Sequence, residues 1–113
     1  DDPVRVGQPI RYSLSVTNQS NLLDSAVGVR FQLPQGVELG RVVQRLAPNA
    51  NQFRRENGVV YLDDIRDLRP AETVDFDIEL VSNQPQQLEL VVEAVSRLMP
   101  GGTFATQTTR VLP

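Results

Sequence analysis

The stretch Ile10-Arg11-Tyr12-Ser13-Leu14-Ser15-Val16-Thr17 decides the fold of this chain, because apolar residues occupy every second position in it. Side chains on a β-strand point alternately to opposite faces, so the pattern predicts a strand with one face on a core and the other in water. The same alternation recurs over 27–33, 73–80 and 88–95. Sixteen Val residues against six Ala also favour strands over helices along the whole chain.

Turn-forming residues separate the predicted strands at intervals of about eight to twelve residues. Asn57-Gly58 is the strongest hairpin signal, because both residue types tolerate the positive φ that a two-residue turn requires. A further strand is expected over 37–43, with Val43 on its inward face. Residues 63–71 are interpreted as a connecting segment, and 103–112 as the last strand.

Seven to nine short strands at this spacing predict an all-β protein, an immunoglobulin-like antiparallel two-sheet β-sandwich. A chain of 113 residues has the ordinary size of one domain, so we expect residues 1–113 to form a single sandwich. Because the sequence opens at Asp1 without a methionine, we expect it to be one repeat excised from a longer exported protein.

The residue types that are missing argue against catalysis. Cys and His are absent, so the chain lacks disulfides, the usual zinc ligands, and the bases that activate serine or cysteine nucleophiles. Lys is absent too, which removes Schiff-base chemistry. We therefore predict no enzyme, no catalytic residue and no cofactor. The net charge of −3 and the scattered Arg residues disfavour nucleic acid, and no apolar run is long enough to enter a membrane as a spanning helix.

Two groups of acidic residues have both a functional and a simpler structural interpretation. Asp63, Asp64 and Asp67 are candidate calcium ligands, since calcium takes several carboxylate oxygens. Their spacing is not that of an EF-hand, and solvated turn carboxylates are the favoured interpretation, so no metal site is predicted.

Asp75, Asp77 and Glu79 lie on one strand face, and two of them could in principle form an acid/base pair for glycoside hydrolysis. That chemistry needs a cleft and an apolar pocket, which neighbours on one outer strand face lack. The favoured interpretation is a solvated sheet face, where Arg side chains of a neighbouring strand offset the repulsion.

Three motifs resemble the bacterial and archaeal conserved-repeat family, also called domain of unknown function eleven. The first covers 6–18, the second is Leu33-Pro34-x-Gly36, and the third is Leu68-x-Pro70. The positions that carry the resemblance are Gly7, Tyr12, Asn18, Leu33, Pro34, Gly36, Leu68 and Pro70. The chain departs from the family at Phe31, where members usually carry Asp, and at Ala71, where they usually carry Gly.

The resemblance implies an immunoglobulin-like repeat of a cell-surface or envelope protein, located outside the cell, on its surface or in the periplasm. Neighbouring domains of the same chain and other surface proteins are then the expected partners. We predict a non-catalytic structural spacer or adhesive repeat. The alternative is a protein-binding module that uses an exposed strand edge, for which the uncharged 103–109 is the candidate, or the Asn57-Gly58 hairpin. That alternative requires a long, unprotected edge strand.

Overall fold

Residues 3–44, 53–62 and 65–113 are described by the structure, a computed structural model. They form ten β-strands and no helix, so this part of the chain offers no helix that could cross a membrane. The strands are β1 (Val4–Arg5), β2 (Pro9–Thr17), β3 (Asp24–Gln32), β4 (Val37–Gln44), β5 (Phe53–Glu56), β6 (Val59–Leu62), β7 (Ile65–Leu68), β8 (Thr73–Ser82), β9 (Gln86–Val95) and β10 (Thr103–Leu112).

The strands form two sheets that pack face to face. The large sheet has the order β1-β10-β9-β3-β6-β5, and β7 also pairs with β3. The small sheet has the order β2-β8-β4. The described strand pairs are antiparallel, except that β1 runs parallel to β10. The predicted immunoglobulin-like two-sheet sandwich is confirmed.

The core lies between the two sheets and is built from the alternating positions of their strands. β8 shows the pattern most clearly, because every second residue from Val74 to Leu80 is buried. Burial of each such side chain contributes about 1.5–3 kcal/mol to folding. The buried apolar residues are Val4, Ile10, Val27, Val29, Phe31, Leu33, Val37, Val42, Val60, Leu62, Leu68, Val74, Phe76, Ile78, Leu80, Leu88, Leu90, Val92 and Val111.

A β-bulge at Gly40 changes which residues of β4 face the core. The register with β8 shifts between Leu39 and Arg41, so one extra residue stands on β4. The extra residue reverses the alternation beyond it, and Val42 is therefore buried while Val43 is only half-buried. The prediction that Val43 faces inward was wrong for this reason.

Two short strands were not predicted. β1 contains only two residues, and β7 lies within the segment that was interpreted as a connection. Each exists because a longer strand, β10 or β3, supplies backbone groups with which it pairs. The predicted hairpin is confirmed: Asn57 and Gly58 have φ values of 52° and 79° and join β5 to β6.

Both ends of the described chain lie at one end of the sandwich. Val4 lies beside Val111 in the parallel pair, and Arg5 Nη1 donates a hydrogen bond of 3.0 Å to the carbonyl oxygen of Pro113. We call this the proximal end. The distal end is formed by loops 18–23 and 96–102, roughly 25 Å away along β10 at about 3.3 Å per residue.

Candidate functional site

Exposed apolar side chains concentrate at the distal end. Seven large apolar side chains are exposed in the described part of the chain, and five of them lie on the distal loops or at the start of β10. The most exposed is Phe104, at 64%. Clusters of this kind typically mark interaction surfaces. We call these five side chains the distal rim: Leu22, Leu23, Leu98, Met99 and Phe104.

A crevice of about 420 Å³ opens between the two sheets at the distal end. The small sheet contributes residues 14–17 of β2, and the large sheet contributes 103–105 of β10. The buried Val27 and Val29 of β3 also line it, so the crevice reaches the core. Its volume falls within the range of about 300–1,000 Å³ that is typical of ligand pockets.

Strand edges, rather than strand faces, border this crevice. A face presents only alternate residues, whereas consecutive residues of β2 and of β10 line the crevice. β2 is one of the two edge strands of the small sheet. On the outer side of β10, the described residues of β1 pair only with Val111 and Leu112, so 103–109 form a long edge with which no described strand pairs. The edge strand that the binding-module hypothesis requires is therefore present.

The first half of β10 extends beyond the small sheet. Thr103, Ala105 and Gln107 pair with core-facing residues of β9, and directly paired residues point to the same side of a sheet. These three residues are nevertheless exposed, whereas Thr109 and Val111 further along the same face are buried. No described strand of the small sheet covers the inner face of β10 at the distal end.

Asp24 is a buried anchor for the loop that carries part of the distal rim. Its Oδ2 accepts a hydrogen bond of 2.6 Å from Ser96 Oγ, and its Oδ1 accepts bonds from the backbone N–H groups of Leu98 and Ser25. Burial alone would raise the pKa of the Asp24 carboxyl, but these three hydrogen bonds and the charge of Arg97 outweigh it and hold the pKa below its ordinary value. The ionised carboxylate thus fixes one wall of the crevice.

Asn18 holds the other distal loop. Its buried side-chain amide donates hydrogen bonds of 2.8 Å to the carbonyl oxygens of Leu22 and Leu68. Its Oδ1 accepts bonds from the backbone N–H and the hydroxyl of Ser20. The bond to Leu68 joins loop 18–23 to β7, and the other three bonds hold the loop itself together. Both polar atoms of the Asn18 side chain are therefore occupied.

The remaining family-motif positions form turns and core rather than a site. Gly7 and Gly36 have φ values of 86° and 76°, which favour glycine, and they lie in the turns before β2 and β4. Leu33 is buried and its N–H donates to the carbonyl of Gly58, while Pro34 accepts from Val37. The other motif positions are a half-buried Tyr12, a buried Leu68 and an exposed Pro70.

The outer face of the large sheet carries a row of paired polar side chains. Arg54 lies opposite Tyr61, with its guanidinium 4.4 Å from the ring centroid, and Tyr61 lies opposite Arg30. Arg30 in turn donates to the Glu93 carboxylate over 2.5 Å. Because Arg54 is also paired with Glu56, the charges on this face are balanced among themselves. The row is consistent with an ordinary solvated sheet face.

The acidic row of β8 lies on the outer face of the small sheet. Ser13 and Ser15 on the neighbouring strand donate hydrogen bonds to Asp77 and Asp75, and Arg11 forms an ion pair with Glu79. The structural interpretation predicted Arg partners on the neighbouring strand, and Arg11 is one; the two Ser hydroxyls opposite the aspartates were not predicted.

The prediction that Asp63, Asp64 and Asp67 form no metal site stays a prediction. Asp63 and Asp64 lie outside the described residues, and Asp67 is an exposed residue of β7, paired with Ser25. Within residues 3–44, 53–62 and 65–113, no three acidic side chains come together in an arrangement that could hold a metal ion.

Sequence reasoning missed the distal rim and the Asp24 anchor. A signal was present, because Leu22-Leu23 and Leu98-Met99 are apolar pairs outside the alternating strands. Each pair lies next to turn-forming residues, and apolar side chains at such positions are not needed for the core. Asp24 gave no signal of its own, since its partner Ser96 is distant in the chain.

No family model matches the sequence, and none of the curated proteins matches it. Solved structures do match, and one is described as a non-cellulosomal cohesin from the hyperthermophilic archaeon Archaeoglobus fulgidus. The TM-score is 0.56 at 12% identity, and the alignment covers 99% of this chain and 86% of that chain. At this identity the similarity concerns the fold: the chain is an immunoglobulin-like β-sandwich similar to that of the archaeal cohesin.

Proposed function

We propose that the chain is a non-catalytic protein-binding module that recognises its partner at the distal end. The observation that carries the proposal is the crevice, which the edges of β2 and β10 border beside the distal rim. A strand edge supplies backbone hydrogen-bonding groups, and the crevice supplies apolar surface, which together are what an extended protein segment recognises. The similarity of the fold to that of an archaeal cohesin is consistent with a non-catalytic binding module.

Charge distinguishes the edge of β10 from the edges that β4 and β5 form. β5 carries Arg54, Arg55 and Glu56, and β4 carries Glu38 and Arg41. Charged side chains protect an edge strand against pairing with a foreign strand. No charged residue occurs over 103–109 of β10. The contrast favours the β10 edge over the Asn57-Gly58 hairpin, which follows the charged β5.

We further infer that the domain belongs to an exported protein and acts at the cell surface or in the envelope. The support is the resemblance of 6–18 and of the Leu33-Pro34 and Leu68-x-Pro70 motifs to the conserved-repeat family. Neighbouring domains and other surface proteins are then its partners. The complete gene tests this inference: an export signal and further copies of the domain support it, and a lone domain without such a signal contradicts it.

The binding function is tested by selecting short random peptides, displayed on phage, against the folded domain. Two variants of β10 serve as a matched pair. Ala105→Lys places a positive charge on the side that lines the crevice, and Thr106→Lys places the same charge on the opposite face. Both positions are exposed, so neither variant disturbs the core.

Selected peptides are expected to bind the wild type and Thr106→Lys alike. Their affinity for Ala105→Lys is expected to fall by about tenfold or more, because the charge enters the apolar crevice. Failure to enrich peptides above the level obtained with an unrelated sandwich contradicts the proposed function. Equal loss of binding in both variants contradicts the location at the crevice.

A further inference from the structure

We infer that the partner contributes an extended, uncharged segment that adds to the free edge of β2 as a fourth strand of the small sheet. This inference rests on the proposed function and specifies how the distal end binds. The juxtaposition that carries it is between the free edge of β2 and the uncovered inner face of β10, which border one crevice.

The space beside β2 has the shape of a missing strand. At the distal end the large sheet lines the crevice with three adjacent strands, through Val29 of β3, Ala94 of β9 and Ala105 of β10. The small sheet contributes only β2, one of its two edge strands. A strand placed beside β2 would lie beneath β9 and β10 and cover the exposed Thr103 and Ala105.

The length of the added strand follows from where the sheets come together. At residue 12 of β2, a side-chain contact to residue 109 of β10 links the two sheets. The part of β2 that lies distal to this contact and lines the crevice is 14–17. The crevice therefore accommodates a strand of about four residues, which is within the ordinary range of strand lengths.

The chemistry of the segment follows from the groups that line the crevice. Leu14 and Val16 are half-buried apolar residues of β2, and they face the apolar lining of the large sheet. Side chains at alternate positions of the added strand would enter this space, so those positions must be apolar.

Charge complementarity points to an uncharged segment rather than an acidic one. Residues 13–17 of β2 and 103–109 of β10 carry no charge. The one ionised side chain among the lining residues is Asp24, whose carboxylate already accepts three hydrogen bonds. A carboxylate on the segment would be repelled by Asp24 and would find no Arg among the lining residues.

The test uses a peptide selected as described above and a series of copies, each methylated at one backbone nitrogen. A strand paired along one edge uses the N–H groups of alternate residues. Binding is therefore expected to fall by about tenfold or more at every second methylated position and to persist at the positions between. Loss at consecutive positions, or at none, overturns strand addition, although the proposed binding function stands.

Amide hydrogen exchange locates the paired edge. Backbone amides of 14–17 in β2 are expected to exchange more slowly with the peptide bound. Protection confined to 103–109 would place the strand on β10 and overturn the inference. Sedimentation of the peptide-free domain tests whether a second copy of the chain occupies the crevice. Self-association that is lost in Ala105→Lys and retained in Thr106→Lys would overturn the inference of a foreign segment. A monomeric domain agrees with that inference.

Discussion

The hydroxyl of Tyr12 lies 2.5 Å from the hydroxyl of Thr109 and joins β2 of the small sheet to β10 of the large sheet. Distal to this contact, the same two strands separate and border the crevice. The contact thus defines the point at which the closed core ends and the open distal half begins. It also places a polar pair at a position where the alternation of β2 predicts an apolar core residue.

Removing this hydroxyl pair should weaken the sandwich moderately. Tyr12→Phe is expected to lower the free energy of unfolding by about 1 kcal/mol, because Thr109 is buried and loses a hydrogen-bond partner. Urea unfolding of Tyr12→Phe, Thr109→Val and the double variant measures the coupling. Thr108→Val, exposed on the other face of β10, is the control and should change stability by less than about 0.5 kcal/mol. Strict additivity of the two single variants would refute the coupling.

Loss of the Asn18 amide should be more costly. Asn18→Ala removes both donated hydrogen bonds and leaves the buried carbonyl of Leu68 without this donor, so we expect a loss of about 2 kcal/mol. Asn21→Ala, in the same loop but exposed, is the matched control and should have little effect. Thermal unfolding followed by circular dichroism measures both. Equal melting temperatures for the two variants would show that Asn18 does not anchor the loop.

The Asp24 anchor predicts a specific dependence of stability on pH. Its folded-state pKa is lowered, so the carboxylate contributes stability above the pKa of the unfolded chain, and this contribution is lost as the pH falls through the folded-state pKa. Asp24→Asn should therefore be less stable than the wild type at neutral pH. The difference between the two should shrink as the pH falls below the ordinary aspartate value of 3.8.

The control for this pH dependence is Asp67→Asn, which changes an exposed carboxylate of β7. Unfolding free energies of the three proteins, measured in urea across the acidic range, provide the comparison. A constant difference between wild type and Asp24→Asn at every pH would mean that the effect of the substitution does not arise from the charge.

The turn before β8 offers a stabilising substitution. Ala71 has a φ of 65° and follows Pro70, and the N–H of Glu72 donates to the carbonyl of Arg69 over 3.0 Å. This is the arrangement of a type II turn, in which glycine is preferred at the position of Ala71. The left-handed conformation costs an alanine about 1–2 kcal/mol, and the greater entropy of glycine in the unfolded chain offsets part of that cost.

Ala71→Gly is therefore expected to raise the free energy of unfolding by about 0.5–1 kcal/mol. The matched control is Ala105→Gly, within β10, which should lower it by a similar amount because glycine weakens a strand. Both are measured by urea unfolding. Destabilisation by Ala71→Gly would contradict the assignment of strain to this turn.

Regular alternation made the long strands predictable. In β2 and β8, successive side chains alternate between core and water over the full strand. The hairpin between β5 and β6 was predictable from Asn57 and Gly58, because both residue types tolerate a positive φ. Alternation did not predict the bulge at Gly40, because that depends on how β4 pairs with β8. It also did not predict β7, since its four residues pair only where β3 offers a free side.

By itself, the sequence determined an all-β sandwich, because the alternation of apolar residues follows from the local geometry of a strand. It also determined that the chain has no cysteine or histidine chemistry, because this depends only on composition. Only the tertiary structure decided that β2 and β10 border one crevice, that Leu98 and Phe104 lie at the same distal end, and that Val4 pairs with Val111 at the other. These relationships join residues far apart in the chain, and they arise from the unequal widths of the two packed sheets, which no local pattern encodes.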